Sequence, residues 1–191
     1  MAQSLTTVTR PEFGDGRTAL LRAAIRVVGQ GGLRQMTYRA VAAEAGVTHG
    51  LVAHHFGSRE TLMLEALKFS AEESIAASSL LAHTGDLDEY LSGLAEMVAS
   101  DPDAQVFQYE LLLESRRNAN LRPLADELLR MYREAARAGL RQLGFDDPDF
   151  SDLVYAALDG LVFQQVTNGD QASTQRHLRT LRRVLARLIE A

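Results

Sequence analysis

Three histidines stand within seven residues of one another, His49, His54 and His55, in the run THGLVAHHF. An imidazole can ligate a metal, move a proton, or read a base edge as donor or acceptor. A helical metal pair needs two ligands on one face, at i and i+4. Here the spacings are five and one, so the rings fan around a helix and no metal site is expected. Base reading fits better. On a helix His49 and Ala53 are one turn apart, as are Gly50 and His54, and both pairs project away from Val52 and Phe56. His49 is the leading candidate base reader, Gly50 allows close backbone approach, and Leu51 or Ala53 suits a thymine methyl. His55 divides between packing and a phosphate contact. Arg39 and Arg59 are phosphate candidates, with Tyr38 a weaker one. Thr37 and Thr48 stand at helix starts, where a hydroxyl caps and the exposed N–H groups suit a phosphate.

These residues need two short helices to position them, and the stretch from Thr37 to Glu60 supplies the pattern. The first helix runs from Thr37 to about Ala45, with Val41, Ala42 and Ala45 on one side. The second starts at Thr48 and ends near Phe56, with Val47, Val52 and Phe56 facing inward. Gly46 lies between them, where a tight turn needs positive φ. Ala42 is small enough to let the helices cross closely. This is a helix-turn-helix pattern, whose second helix enters the major groove.

Thr37, Val41, Ala42, Ala45, Gly46, Val47, Thr48 and Gly50, followed by His55, Phe56, Ser58, Arg59, Glu60 and Leu62, resemble the DNA-binding signature of the tetracycline-repressor (TetR) family. The match covers about 25 contiguous residues, and the chain has that family's length and helical layout. One position departs. The family usually places a phosphate-touching tyrosine where this chain has Ala53, so His54 or Arg59 would have to supply that contact.

Net charge is −5, which by itself argues against a nucleic-acid partner, but its distribution does not. Residues 1–68 carry eight Lys/Arg against five Asp/Glu, whereas residues 69–191 carry twelve against twenty. A basic head on an acidic body gives local attraction to phosphate without indiscriminate adhesion. The sequence has no cysteine, which excludes disulfides and thiolate metal sites. It shows neither an apolar run of membrane-spanning length nor a signal-peptide core, so a cytoplasmic location and no membrane partner are expected.

Residues 1–14 are polar and aperiodic and read as a flexible arm. A first helix follows Asp15-Gly16, carrying Leu21, Ala24, Ile25 and Val28, and ends at Gly31-Gly32. Ser58 suits an N-cap for a long fourth helix over roughly 58–82, the connector from head to body. Asp86 and Glu89 have capping-box spacing. Asp101-Pro102-Asp103 and Asp147-Pro148-Asp149 each place a cap, a proline at the first helical position and an acid after it. Further helices are expected near 86–99, 102–117, 121–143, 149–167 and 174–190, and strand alternation is absent. The fold class is all-α with about nine helices. The domains expected are a helix-turn-helix head at 15–57 and a regulatory and dimerisation body at 58–191.

The segment 150–167 is apolar on more than one face, and the last helix carries Leu178, Leu181, Leu185 and Leu188 in one stripe with arginines opposite. The family resemblance implies a homodimer through these last two helices, presenting two heads to a palindromic operator in double-stranded DNA. It also implies an unidentified small-molecule effector held among the middle helices, whose binding releases the DNA. Phe107, Tyr109, Met131, Tyr132, Tyr155 and Phe163 are candidates to line that pocket, with Glu110 and Glu114 to orient a polar or cationic ligand. No cofactor motif, glycine-rich phosphate loop or G-x-S-x-G elbow occurs, so no enzyme is expected. The rival reading is an all-α interaction protein, or a divergent regulator without an effector.

Overall fold

A computed structural model of the chain describes residues 15–81 and 85–190. The arm expected at 1–14 lies outside the described residues. Among the described residues nine α-helices run in order: α1 (Asp15–Gly31), α2 (Tyr38–Ala45), α3 (His49–Phe56), α4 (Arg59–Ala77), α5 (Leu94–Ser100), α6 (Pro102–Ser115), α7 (Arg122–Gln142), α8 (Pro148–Asn168) and α9 (Gln171–Ile189). Two 3-10 turns, Leu33–Gln35 and Ala119–Leu121, join them, and no strand occurs among the described residues.

The helix starts follow from their caps. Ser58 Oγ accepts from Thr61 N at 3.0 Å, Asp101 Oδ1 from Ala104 N at 3.1 Å, and Asp147 Oδ1 from Asp149 N at 2.9 Å. Each satisfies an amide that the helix cannot pair internally. Helix α4 is shorter than the spacing predicts, 19 residues, which is about 28 Å of rise.

The helix expected over 86–99 forms only from Leu94. Asp86 Oδ1 instead takes the Asp88 amide at 2.8 Å in a tight local turn, and Leu91 sits at φ 65°. The cause is tertiary. Tyr90 and Leu91 are fully buried, and a Cβ on Gly93 would stand 2.1 Å from the Ala77 carbonyl oxygen. The chain passes so close to the end of α4 that only glycine fits at position 93, and Leu91 at positive φ breaks the helical run before Leu94.

Two cores result. One joins α1, α2 and α3 to the first half of α4, α6 and the start of α7; the other joins the end of α4 to α5, α8, α9 and the end of α7. Met131 and Tyr132 pack against both. The head therefore shares its core with α6. Gln30 of α1 donates to Asp103 Oδ2 at 2.9 Å, and the Leu33 amide donates to Glu110 Oε2 at 3.4 Å.

Helices α8 and α9 bury one face each, through Val154, Leu158 and Val162 and through Leu178 and Leu185. Their other faces stay open. Leu153 is 66% and Phe163 47% exposed, and Val184, Leu188 and Ile189 are exposed beside them. Helix α8, apolar on more than one face, thus covers one of them within the chain and leaves Leu153 and Phe163 open.

Candidate functional site

The reading head is built by α2 and α3. Thr37 Oγ1 accepts from Ala40 N at 3.1 Å and starts α2. Gly46 ends it at φ 68°, ψ 30°, and the Val47 amide returns to the Ala42 carbonyl at 2.9 Å. This is the left-handed close that glycine permits. Thr48 precedes α3, but its hydroxyl makes no capping bond, which leaves it and the first amides of α3 open. Val52 and Phe56 are buried and fix the rotation of α3. His49, Gly50, Leu51 and His54 are exposed together, while Ala53 and His55 are half-buried. Val47 departs from the expected inward position: it is as exposed as Leu51, 37% in both cases, so two apolar side chains flank His49. A Cβ on Gly50 would meet nothing within 4 Å, so packing within the protein does not require glycine there.

The head's arginines are largely engaged inside the protein. Arg17 donates to the His55 carbonyl at 2.9 Å, pairs with Glu65, and lies 4.7 Å over the Phe56 ring, which clamps the last turn of α3. Arg22 pairs with Glu73 at 3.0 Å and Arg26 with Glu44 at 2.6 Å. Arg59 is redirected from its expected phosphate role. Its Nε donates to the Met36 carbonyl at 2.7 Å and Nη2 to the Leu33 carbonyl at 3.0 Å, binding the Leu33–Gln35 turn to the start of α4. Tyr38 is also redirected, since its hydroxyl is buried and without a hydrogen-bond partner. Arg39 is exposed, with no ion pair among the described residues. The outward groups are therefore Thr37, Arg39, Thr48, His49, Gly50, Leu51 and His54.

In the body, a cavity of about 50 Å³ lies between α6, α7 and α8. Tyr109, Tyr132 and Tyr155 line it, as expected, together with Gln105, Gln108, Asp159 and a wall of Leu, Val and Met side chains. Tyr109 donates to Asp159 Oδ1 at 3.0 Å, and the Tyr132 phenol donates to Gln108 Oε1 at 2.9 Å. Gln105 and Gln108 donate in turn to Ser74 and Ser70 of α4, at 2.9 and 2.8 Å. Burial pushes the Asp159 carboxyl above the usual carboxylate range, with the Tyr109 hydrogen bond opposing it, and pushes the Tyr132 phenol up to about 12.

The other expected ligand residues do not line this cavity. Phe107 is fully buried in the first core. Met131 borders a shallow groove between α4 and α7. Phe163 points outward, its ring edge-on to Tyr109 at 5.3 Å. Glu110 and Glu114 open onto a separate cleft at the head–body junction with Gly32, Arg34, Arg59 and Arg117. Sequence reasoning missed Asp159, Gln105 and Gln108. The available signal for Asp159 was a single acid inside the apolar run of α8.

A two-helix reading head on a wholly helical body with an internal cavity is the architecture of a one-component helix-turn-helix regulator. Residues 20–66 match the model described as "Bacterial regulatory proteins, tetR family", and residues 85–191 match "Tetracyclin repressor-like, C-terminal domain". The chain belongs to the TetR family and is a DNA-binding transcriptional regulator, not an enzyme. It is similar to the HTH-type transcriptional regulator BetI of Agrobacterium fabrum, 28% identical over 152 residues that cover 76% of this chain and 74% of that one. It is also similar to the multidrug binding protein EbrR complexed with imidazole, at 31% identity and TM-score 0.61, covering 94% and 96% of the two chains. A TetR-family regulator from Rhodococcus sp. shares the fold at 20% identity and TM-score 0.76, covering 91% and 99%. Among the described residues no helix is long and apolar enough to cross a membrane.

Proposed function

We propose that the protein is a cytoplasmic repressor that grips a palindromic operator as a homodimer and leaves it when a small molecule enters the body cavity. One observation carries the coupling. Helix α6 presents Gln105, Gln108 and Tyr109 to the cavity and, from the same 14 residues, Asp103 and Glu110 to the end of α1 and the turn after it. A ligand that moves α6 moves the head. The effector then favours a head spacing that no longer fits two half-sites, which is a population shift.

The open faces of α8 and α9, with Leu153, Phe163, Val184 and Leu188, suit an isologous four-helix contact with a second copy. That the body takes small molecules is supported by EbrR, whose solved complexes hold imidazole, proflavin and ethidium. The head at 15–57 supplies the reading surface and the body at 58–191 the sensing and pairing surfaces. In this scheme His49 reads a base edge, while Arg39 and the α2 and α3 N-termini hold phosphates.

Selection of bound sequences from random DNA, followed by gel-shift titration, tests the reading. The expected result is an inverted repeat bound by two chains, with affinity falling steeply as salt rises. Equal affinity for operator and random DNA would sink the specific-repressor reading.

A further inference from the structure

We propose that the cavity between α6, α7 and α8 selects an organic monocation, an ammonium group held against the faces of Tyr132 and Tyr155 with its charge opposite Asp159. This rests on the cavity being the effector site and adds the chemical class of what enters it.

The lining carries one acid and no base. Asp159 is half-buried, and within the protein its side chain meets a single neutral donor, the Tyr109 hydroxyl at 3.0 Å. Arg133, whose charge is felt at Tyr155, is exposed and stands outside the lining. A half-buried carboxylate with one neutral partner loses part of its hydration, and a positive charge brought alongside relieves that cost. An anion would meet repulsion there, and a neutral molecule would leave the charge uncompensated. Burial pushing the Asp159 carboxyl upward is the same lack of compensation seen as a titration.

The aromatic groups match the other half of such a ligand. The rings of Tyr132 and Tyr155 are within 17° of parallel, with centroids 6.2 Å apart, and aromatic faces are negative. A cation near such faces is stabilised most when water is excluded. Tyr155 and Asp159 are one turn apart on α8, so a single helix face supplies both a ring and the charge. Leu94, Leu128, Leu158 and Val162 complete an apolar wall for the hydrocarbon part of the ligand. Gln105 directs its amide at Ser74 and Met97, and Gln108 donates to Ser70, so both glutamines are turned toward neighbouring side chains.

The cavity's size adds a consequence. At about 50 Å³ it holds little more than a water, so an organic cation must widen it. The Tyr109 hydroxyl on α6 reaches across to Oδ1 and the backbone carbonyl of Asp159 on α8, at 3.0 and 3.1 Å, and its bond to the carboxylate is the one open to competition. A cation competing for Asp159 loosens that bond and separates α6 from α8. Selection by charge and displacement of the helix that holds the head become one event.

Calorimetric titration of the full chain tests the assignment with four probes of similar size: benzyltrimethylammonium, benzylammonium, benzyl alcohol and benzoate. The two cations are expected to bind at least about tenfold more tightly than the alcohol, and benzoate most weakly. Asp159→Asn keeps an acceptor for Tyr109 and should bring cation affinity down to that of the alcohol. Tyr155→Leu should weaken the cations more than Tyr155→Phe does. Absence of cation binding, an alcohol or benzoate that binds as tightly as the cations, or cation affinity unchanged in Asp159→Asn would each overturn the proposal. The same cations are then added to the protein–operator complex. Asp159-dependent binding without DNA release upholds the ligand class and overturns the effector-release reading instead.

Discussion

Gln108 on α6 donates a hydrogen bond to the Ser70 hydroxyl on α4 across 2.8 Å, in a buried position between the two helices. The same glutamine accepts from the Tyr132 phenol at 2.9 Å, so the cavity wall is linked in two bonds to the helix that begins at the reading head. Gln105 and Ser74 repeat the link further along α4. A chain of satisfied polar groups in an apolar interface holds one register, because any slip leaves a buried group unpaired.

Gln108→Leu removes that register signal without emptying the cavity wall. It takes away the glutamine partner of the Ser70 hydroxyl and one of the two side-chain partners of the Tyr132 phenol, at about 1–3 kcal/mol of stability, read by chemical denaturation. Ligand affinity measured by calorimetry should change little, while the ligand's effect on DNA affinity, measured by fluorescence anisotropy, should shrink. Full ligand-driven release in this variant would show that the link is structural only.

Asp159→Asn should make the empty protein more stable at neutral pH. The carboxyl of the folded chain titrates above its unfolded value because it is buried. Between the two values the folded chain keeps a proton that the unfolded chain has lost. Stability from this group is therefore complete below the unfolded value and is lost as pH rises through the folded one. The facing phenols of Tyr109, Tyr132 and Tyr155 are pushed upward by burial, so they stay protonated throughout that window. Thermal melts across acidic to neutral pH should show the wild type falling behind the Asn variant as pH rises. A variant that melts lower at neutral pH would mean that the carboxylate is compensated in the fold.

Gly50→Ala separates stability from DNA contact in the head. Glycine within an exposed helix costs up to about 1 kcal/mol relative to alanine, and no atom of the protein stands in the way of the added methyl. The variant should gain stability by up to about that amount. If α3 lies as close to DNA as its exposed face suggests, the methyl intrudes there and operator affinity falls. Anisotropy titrations showing unchanged affinity would place Gly50 away from the groove.

Local chemistry made much of this fold readable. Gly46 in its turn, the caps at Ser58, Asp101 and Asp147, and the spacing of Val52 and Phe56 all act over a few residues, and the helices form where those signals stand. What escaped was decided by contacts distant in sequence. The full burial of Tyr90 and Leu91, with Leu91 at positive φ, interrupts the helix that the Asp86–Glu89 spacing predicts. Phe107 and Tyr109 are two residues apart on α6 and so face different ways, one into the first core and one into the cavity. Composition alone does not say which. Asp159 was hidden by its neighbours, since an acid in an apolar run gains meaning only when no cation is found across from it.

Arg59 and Arg39 provide the sharpest contrast between holding the head together and holding DNA. Arg59 reaches carbonyls 23 and 26 residues earlier in the chain, at Met36 and Leu33. Arg59→Ala should therefore cost stability, about 1.5–3 kcal/mol for each charge-assisted bond at most, since water can reach the freed carbonyls. Its effect on DNA binding should follow from a loosened head and should recede at lower temperature, where more of the head is ordered. Arg39→Ala should leave stability within about 0.5 kcal/mol, as for an exposed side chain without partners. It should weaken all DNA sequences alike and reduce the dependence of log affinity on log salt by about one. Denaturation curves and salt titrations on both variants decide the matter. A salt slope lowered by Arg59→Ala and not by Arg39→Ala would return Arg59 to the phosphate role and remove Arg39 from it.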